Sequence, residues 1–243
     1  MALADLDPQT SQINLPLEAY MLSGAEEHLV DHANALLMQA CMARAGFTYP
    51  VPPFDADAPP VPDRRYGIWS IEDASAHGFD TPMDHESAVT AAAQYALGDD
   101  WNRANNECYQ GEDILQPVGD DGHVDGIIAT LGMDTSFNDL HRSNLLQEVR
   151  DAWVGCMDDK GVAVDPTTDY MLPDTSGPEG RSKELALVGA TCMDELDVVK
   201  QLAGWESSQQ LEYIKQHQEE LTASRAAADD TLERARQIIA GTA

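Results

Sequence analysis

Four cysteines are the side chains of this sequence best suited to covalent or metal chemistry: Cys41, Cys108, Cys156 and Cys192. No two stand at C-x-x-C spacing, which argues against a zinc site and against a thioredoxin-like redox motif. Such thiols either remain separate as small buried apolar groups or pair. An even set spread along a chain without a nucleophile motif reads better as two disulfides formed in an oxidising compartment. Four cysteines allow three connectivities, and spacing alone does not choose among them.

Arg64, Arg65, Tyr66 and Trp69 form the one local concentration of positive charge with aromatic surface. They make either a ligand patch or an internal clamp. In a clamp, the planar guanidinium groups would pair with nearby acids while the rings pack on the first helix. The clamp is the stronger expectation.

Other candidates are weaker. Asp121-Gly122-His123-Val124-Asp125-Gly126-Ile127-Ile128 carries part of a calcium-loop pattern. However, its third ligand position is histidine, and Gly132 stands where a bidentate glutamate is required, so it reads as an acidic turn. His77 and His85 flank Asp80 and Asp84, but that spacing across Gly78 and Pro82 matches no recurring zinc geometry and reads as a solvated loop. Asp99-Asp100 and Asp158-Asp159 could in principle serve as a glycosidase pair. With 43 acidic residues in the chain, such pairs arise without a role. G-x-S-x-G, S-x-x-K and P-loop motifs are absent. No catalytic residue, metal ligand or cofactor is therefore assigned.

The elements that must hold the cysteines are legible. Ser23 with Glu26 makes a capping box, and Leu29, Val30, Ala33, Leu36, Leu37, Ala40 and Cys41 follow at helical spacing. Gly46 suits the left-handed residue just past a helix end, and Phe47 the apolar residue that folds back on the last turn. The pattern recurs. Ser143 caps a helix with Leu145, Leu146, Val149, Ala152, Trp153 and Cys156 on its stripe, then Gly161 and Val162. Cys41-Met42-Ala43-Arg44-Ala45-Gly46-Phe47 and Cys156-Met157-Asp158-Asp159-Lys160-Gly161-Val162 share the frame C-M-x-x-x-G-apolar. Each helix is followed by a proline-rich, non-helical crossing: Pro50 to Pro62 in the first case, and Pro166, Pro173 and Pro178 in the second. Each crossing leads to a further cysteine. The natural pairing within such copies is Cys41 with Cys108 and Cys156 with Cys192, with the other connectivities left open.

The predicted fold is thus mostly α. It consists of two degenerate disulfide-stapled helical repeats with proline-rich crossings, ends in a long C-terminal helix, and has at most a minor β element. Residues 1–14 read as a flexible polar tether, 15–118 as the first repeat, 119–139 as a linker and 140–243 as the second repeat. A short apolar run, Val124 to Leu131, is a candidate strand that could pair with Tyr66 to Ile71. Ser182 caps the last helical segment, whose stripe of Leu185, Val188, Cys192, Leu196, Val199 and Leu202 thins beyond Trp205. That segment is either continuous over 183–240 or bent near Gly204.

Net charge is −29, a field that repels nucleic acid and anionic membrane surfaces and favours cationic or basic partners. No run is long and apolar enough to span a membrane. Met1 to Leu15 has no basic n-region and no apolar h-region. The chain is therefore read either as cytosolic or as a mature form that has lost a leader, and the cysteines favour the second.

Leu15-Pro16-Leu17-Glu18-Ala19-Tyr20, the stretch from Cys41 through Gly46-Phe47-Thr48-Tyr49, and Arg64-Arg65-Tyr66-Gly67 resemble segments of a group of uncharacterised exported proteins of actinomycetes, many of them lipoproteins. The terminal cysteine-bearing helix running into a Gln/Glu-rich helix is similar too. The resemblance implies export, disulfides and often a lipid anchor, and it carries no activity. The expected function is that of a non-enzymatic extracytoplasmic envelope protein that binds or assists a protein partner, for instance beside an exporter or a cell-wall complex. The alternatives are an envelope hydrolase using a carboxylate pair and a self-associating helical module.

Overall fold

The computed structural model describes residues 4–51, 53–55, 59–80, 97–111, 114–115, 124–168, 170–177, 180 and 182–242. These residues are mostly helical, as the patterning predicts. The α-helices are α1 (Gly24–Arg44), α2 (Ile71–His77), α3 (Asp99–Tyr109), α4 (Val124–His141), α5 (Asn144–Asp159), α6 (Lys183–Glu195), α7 (Val198–Gln216) and α8 (Gln218–Thr242). A 3-10 turn spans Pro16–Tyr20, and the minor β element is a hairpin of β1 (Asp5–Asp7) and β2 (Gln12–Asn14), paired antiparallel with Leu6 opposite Ile13.

The predicted starts and stops are made as read. Ser23 accepts from the Glu26 amide while the Glu26 carboxylate accepts from the Ser23 amide. Ser143 and Ser182 cap α5 and α6 by accepting from the amides of Leu146 and Leu185. The two stops are the same motif. After α1, Gly46 takes φ +85°, the Phe47 N–H reaches the Met42 carbonyl at 2.9 Å, and the Gly46 N–H reaches Ala43 at 3.1 Å. After α5, Gly161 takes φ +73°, with Val162 to Met157 at 2.9 Å and Gly161 to Asp158 at 2.8 Å. These crossed bonds satisfy carbonyls that a helix end otherwise leaves open, and the left-handed residue they require is the glycine of the repeat.

The repeated methionine has a role the stripe did not assign it. Met42 and Met157 are both fully buried, whereas Ala40, placed on the apolar stripe, is exposed. In each copy the cysteine sits at the edge of the buried face and bonds a buried cysteine of a neighbouring helix, while the methionine beside it fills the core. The bridges are Cys41–Cys108 and Cys156–Cys192, each with Cα atoms 5.9 Å apart. Cys41 lies on α1 and Cys108 near the end of α3; Cys156 and Cys192 tie α5 to α6.

The chain forms two compact units, each assembled from separated stretches. One contains residues 1–19, 59–82 and 130–217. Its core gathers Ile13, Leu15, Tyr66, Trp69, Leu146, Trp153, Met157, Met193 and Leu202. The Trp153 indole donates to the Gly189 carbonyl at 3.2 Å, so its polar edge is satisfied inside α6. A second cluster in this unit packs Ile68, Ala74 and Phe79 on Leu185, Ala186 and Ala190. The other unit contains residues 20–58, 83–129 and 218–243. There α1 presents Met38 and Met42 to Trp101, Ala104 and Cys108, and Val30 and Ala33 to Leu115, Leu232 and Ala235. The Trp101 indole donates to Thr48 O at 3.0 Å, and the Asn34 side chain both donates to and accepts from the Leu115 backbone, at 2.9 and 2.8 Å. Arg225 of α8 pairs with Glu26 at 3.0 Å and donates to the Met21 carbonyl, which fastens α8 to the capped start of α1.

Four expectations are corrected. Residues 5–14 are not a loose tether: the hairpin is bonded to the core, and Ile13 is buried. Val124 to Leu131 is not a strand paired with Tyr66 to Ile71; it begins α4, and the linker expected over 119–139 is largely this helix. The 183–240 segment is broken into three helices. The breaks fall at Leu196-Asp197, where Asp197 takes φ +50°, and at His217, whereas Gly204 lies inside the continuous helix α7. Finally, α8 belongs with α1 and not with the second repeat, because its apolar face of Leu232 and Ala235 meets the α1 face of Val30 and Ala33.

The bridges close spans of 67 and 36 residues, so chain-entropy arithmetic gives each about 4 kcal/mol. Replacing both cysteines of either bridge with alanine is expected to lower urea-denaturation stability by about that amount. A loss below about 1 kcal/mol would mean that the bridge closes chain already ordered without it.

Candidate functional site

The basic and aromatic cluster is at the centre of the first unit. Arg64 holds Asp73 with two parallel bonds, Nε to Oδ2 and a terminal nitrogen to Oδ1, both 2.8 Å. The same guanidinium donates to the carbonyls of Gly78, Phe79 and Asp80 at 3.0, 3.2 and 3.1 Å. It thereby supplies the C-terminal cap of α2 while pairing with an acid in that helix's first turn. Asp73 is buried and also meets His77 Nδ1 at 3.1 Å.

Arg65 pairs with an acid in the middle of α7. Its Nε reaches Glu206 Oε2 at 3.0 Å, a terminal nitrogen bonds Glu206 Oε1, and that nitrogen also donates to Met133 O at 3.1 Å. Glu206 has no exposed surface. Its other contacts are the Tyr66 hydroxyl at 2.7 Å, the Ser136 hydroxyl at 2.8 Å and the Gln210 amide at 3.3 Å. A buried carboxylate is tolerable only when paired and hydrogen-bonded in this way. The Arg65 guanidinium also lies 4.5 Å from the Phe137 ring centroid, a stacked cation contact that lysine would not reproduce. The Trp69 indole donates to Asp63 O at 2.8 Å. Arg64 and Arg65 thus pair inward with acids, whereas the rings of Tyr66 and Trp69 pack with Ile13, Leu15 and Trp153 and not, as expected, with residues of the first helix.

Residues that the sequence did not single out complete the cluster. Gln210 donates to Ser136 Oγ at 3.1 Å and accepts from the Leu17 amide at 3.1 Å. That links the 3-10 turn to α7 and places Glu18 among Asp63, Arg65 and Glu206. Burial raises the Glu18 carboxyl to about 7; the Leu15 amide and Arg65 pull it down, and Asp63 and Glu206 push it up. Burial also raises Asp63, which Arg65 partly counters through its backbone N–H, 2.8 Å from Oδ1, and through its charge. Burial beside the Glu206 carboxylate pushes the Tyr66 phenol far up, so it stays a hydrogen-bond donor. One signal for Glu206 was in the sequence. The α7 period runs Val199, Leu202, Ala203, Glu206, Gln210, Ile214, all buried, with polar residues standing where the apolar stripe thins.

The remaining candidates do not converge. Asp99-Asp100 and Asp158-Asp159 are exposed. Asp121–His123 of the calcium-like pattern, and His85 and Asp84 of the histidine set, lie outside the described residues, while Asp125-Gly126 falls within α4. Among the described residues, ligand-type atoms group within 4.8 Å at Cys156, Cys192 and Glu195. Both sulfurs there are in the disulfide, so no thiolate is offered, and Glu195 pairs with Lys160 at 3.0 Å.

Breaking the buried pair on one side is expected to cost about 3–5 kcal/mol. Arg65→Met and Glu206→Gln should each show a loss of that order in urea denaturation, and the double variant should lose less than the sum. Losses under about 1 kcal/mol for both singles would mean the pair is solvated and the clamp is not structural. No protein-family model, no curated protein and no solved structure matches this chain, so its functional reading rests on the disulfides and on this internally satisfied cluster.

Proposed function

We propose that the protein works outside the cytoplasm, at the cell envelope, by binding or assisting a protein partner and not by turnover. The observation that carries the location is the pair of disulfides, which persist in oxidising compartments. No helix among the described residues is long and apolar enough to cross a membrane, so attachment at the envelope would come from the partner or from a lipid, as the actinomycete resemblance implies. The direction of the clamp argues against a ligand patch there, since Arg64 and Arg65 bond Asp73 and Glu206 instead. The acidic field favours a partner with basic surface.

One observation favours a hydrolase as the second reading. Glu18, raised to about 7 beside Asp63 and Glu206, has the protonation behaviour of a general acid at neutral pH. The two readings separate on envelope material. The oxidised protein is incubated with isolated cell envelopes, and both saturable co-sedimentation and the release of soluble wall fragments are measured. The binding account predicts saturable, salt-sensitive co-sedimentation without fragment release. Fragment release abolished by Glu18→Gln would overturn it in favour of the hydrolase.

A further inference from the structure

The N-terminal stretch of the first unit is held by the buried side chains of Ile13, Leu15 and Leu17 and by a set of polar contacts. The Ala4 amide donates to Ser207 Oγ at 3.1 Å, and Gln12 Nε2 donates to Val61 O at 2.9 Å. Ser70 Oγ donates to Pro8 O at 2.9 Å, and the Asp63 amide to Ser11 O at 2.9 Å. The turn between the strands places Ser11, buried and not glycine, at φ +56°, a conformation that costs about 1 kcal/mol or more and is kept only by its surroundings. At the far end Leu17 is fully buried over Gly132 of α4. A Cβ at Gly132 would stand 2.7 Å from Leu17 Cδ1 and 2.6 Å from Tyr213 Cε1, so the seat for Leu17 is cut to a glycine.

Beside that seat the charges do not balance. Glu18 arrives on the 3-10 turn, Asp63 and Arg65 on the non-helical stretch that precedes α2, and Glu206 on α7. Tyr66 adds a neutral hydroxyl, and α4 adds the uncharged Ser136 and Met133. Three carboxyl groups therefore face one guanidinium, and that guanidinium is engaged by Glu206 and Met133 O. Seating Leu17 brings the Glu18 carboxyl to the two other acids.

We infer that residues 4–19 form a proton-governed clasp, which is seated while the Glu18 carboxyl carries a proton and loosens as that proton is lost, uncovering the apolar seat at Gly132 and Tyr213. The direction follows from linkage. Glu18 has an ordinary value of 4.5 when free and about 7 when seated, so seating takes up a proton between these values. The seated state is favoured fully below the lower value, loses ground as pH rises through the interval, and loses no more above the upper one. Asp63, also raised by burial, acts in the same direction. The inference does not depend on the proposed function.

The test is hydrogen exchange of the full-length oxidised protein, read by mass on peptides covering residues 5–20, with opening constants corrected for the intrinsic pH dependence of exchange. Between about pH 5.5 and about pH 7.5 the wild-type opening constant is expected to rise roughly tenfold, while peptides from α5 stay unchanged. Glu18→Gln, isosteric and permanently neutral, should remove most of that rise and keep the stretch protected at the higher pH. A flat wild-type profile would overturn the clasp. So would a Glu18→Gln profile with the wild-type slope, and Asp63→Asn flattening the profile while Glu18→Gln does not would assign the proton to Asp63.

Discussion

Each unit of this protein depends on a helix that ends by one recurring device and is bonded there to a neighbour. A chain of net charge −29 repels itself when compact, and with few aromatic residues it has little large apolar surface to set against that repulsion. The C-M-x-x-x-G-apolar frame concentrates three remedies at one point. The glycine permits the crossed hydrogen bonds of the helix stop, the methionine fills the core, and the cysteine makes a covalent tie. Shifting the frame by one residue would turn the methionine outward and the cysteine inward, so the spacing is constrained by the helical period.

The second organising feature is polar. Arg64 and Arg65 are adjacent in sequence yet serve different helices, one pairing with Asp73 of α2 and the other with Glu206 of α7. A dipeptide thus joins two elements far apart in the chain. Buried ion pairs contribute less to net stability than to specifying one arrangement over others, because their members are costly only when left unpaired. The Glu206 network fits that role: both oxygens are engaged, by the Arg65-Tyr66 dipeptide, by Ser136 of α4 and by Gln210 of its own helix.

Much of this was legible because it is local. The caps at Ser23, Ser143 and Ser182, the stops at Gly46 and Gly161, and the methionine-bearing repeat are set by residues within a turn of each other. What was not legible is long-range. Glu206 and Gln210 looked like a fading stripe because a helix face turned polar reads as solvent until its partner is known. Leu29 to Cys41 was taken as one stripe, whereas α1 packs on two faces, one toward α3 and one toward α8. The polar opening residues looked like a tether because the hairpin is secured by backbone and side-chain bonds to positions about fifty to two hundred residues away, which no local pattern reveals. Asp197 in the left-handed region broke a helix that contains no proline and whose glycines proved harmless.

The most direct test of the account is the disulfide connectivity in protein prepared under oxidising conditions, with free thiols alkylated and peptides mapped without reduction. The account predicts linked peptides carrying Cys41 with Cys108 and Cys156 with Cys192, and no alkylated cysteine. Cross-links between the two pairs would contradict the stapled repeat. Alkylation of all four cysteines would contradict the staples and remove the ground for placing the protein outside the cytoplasm.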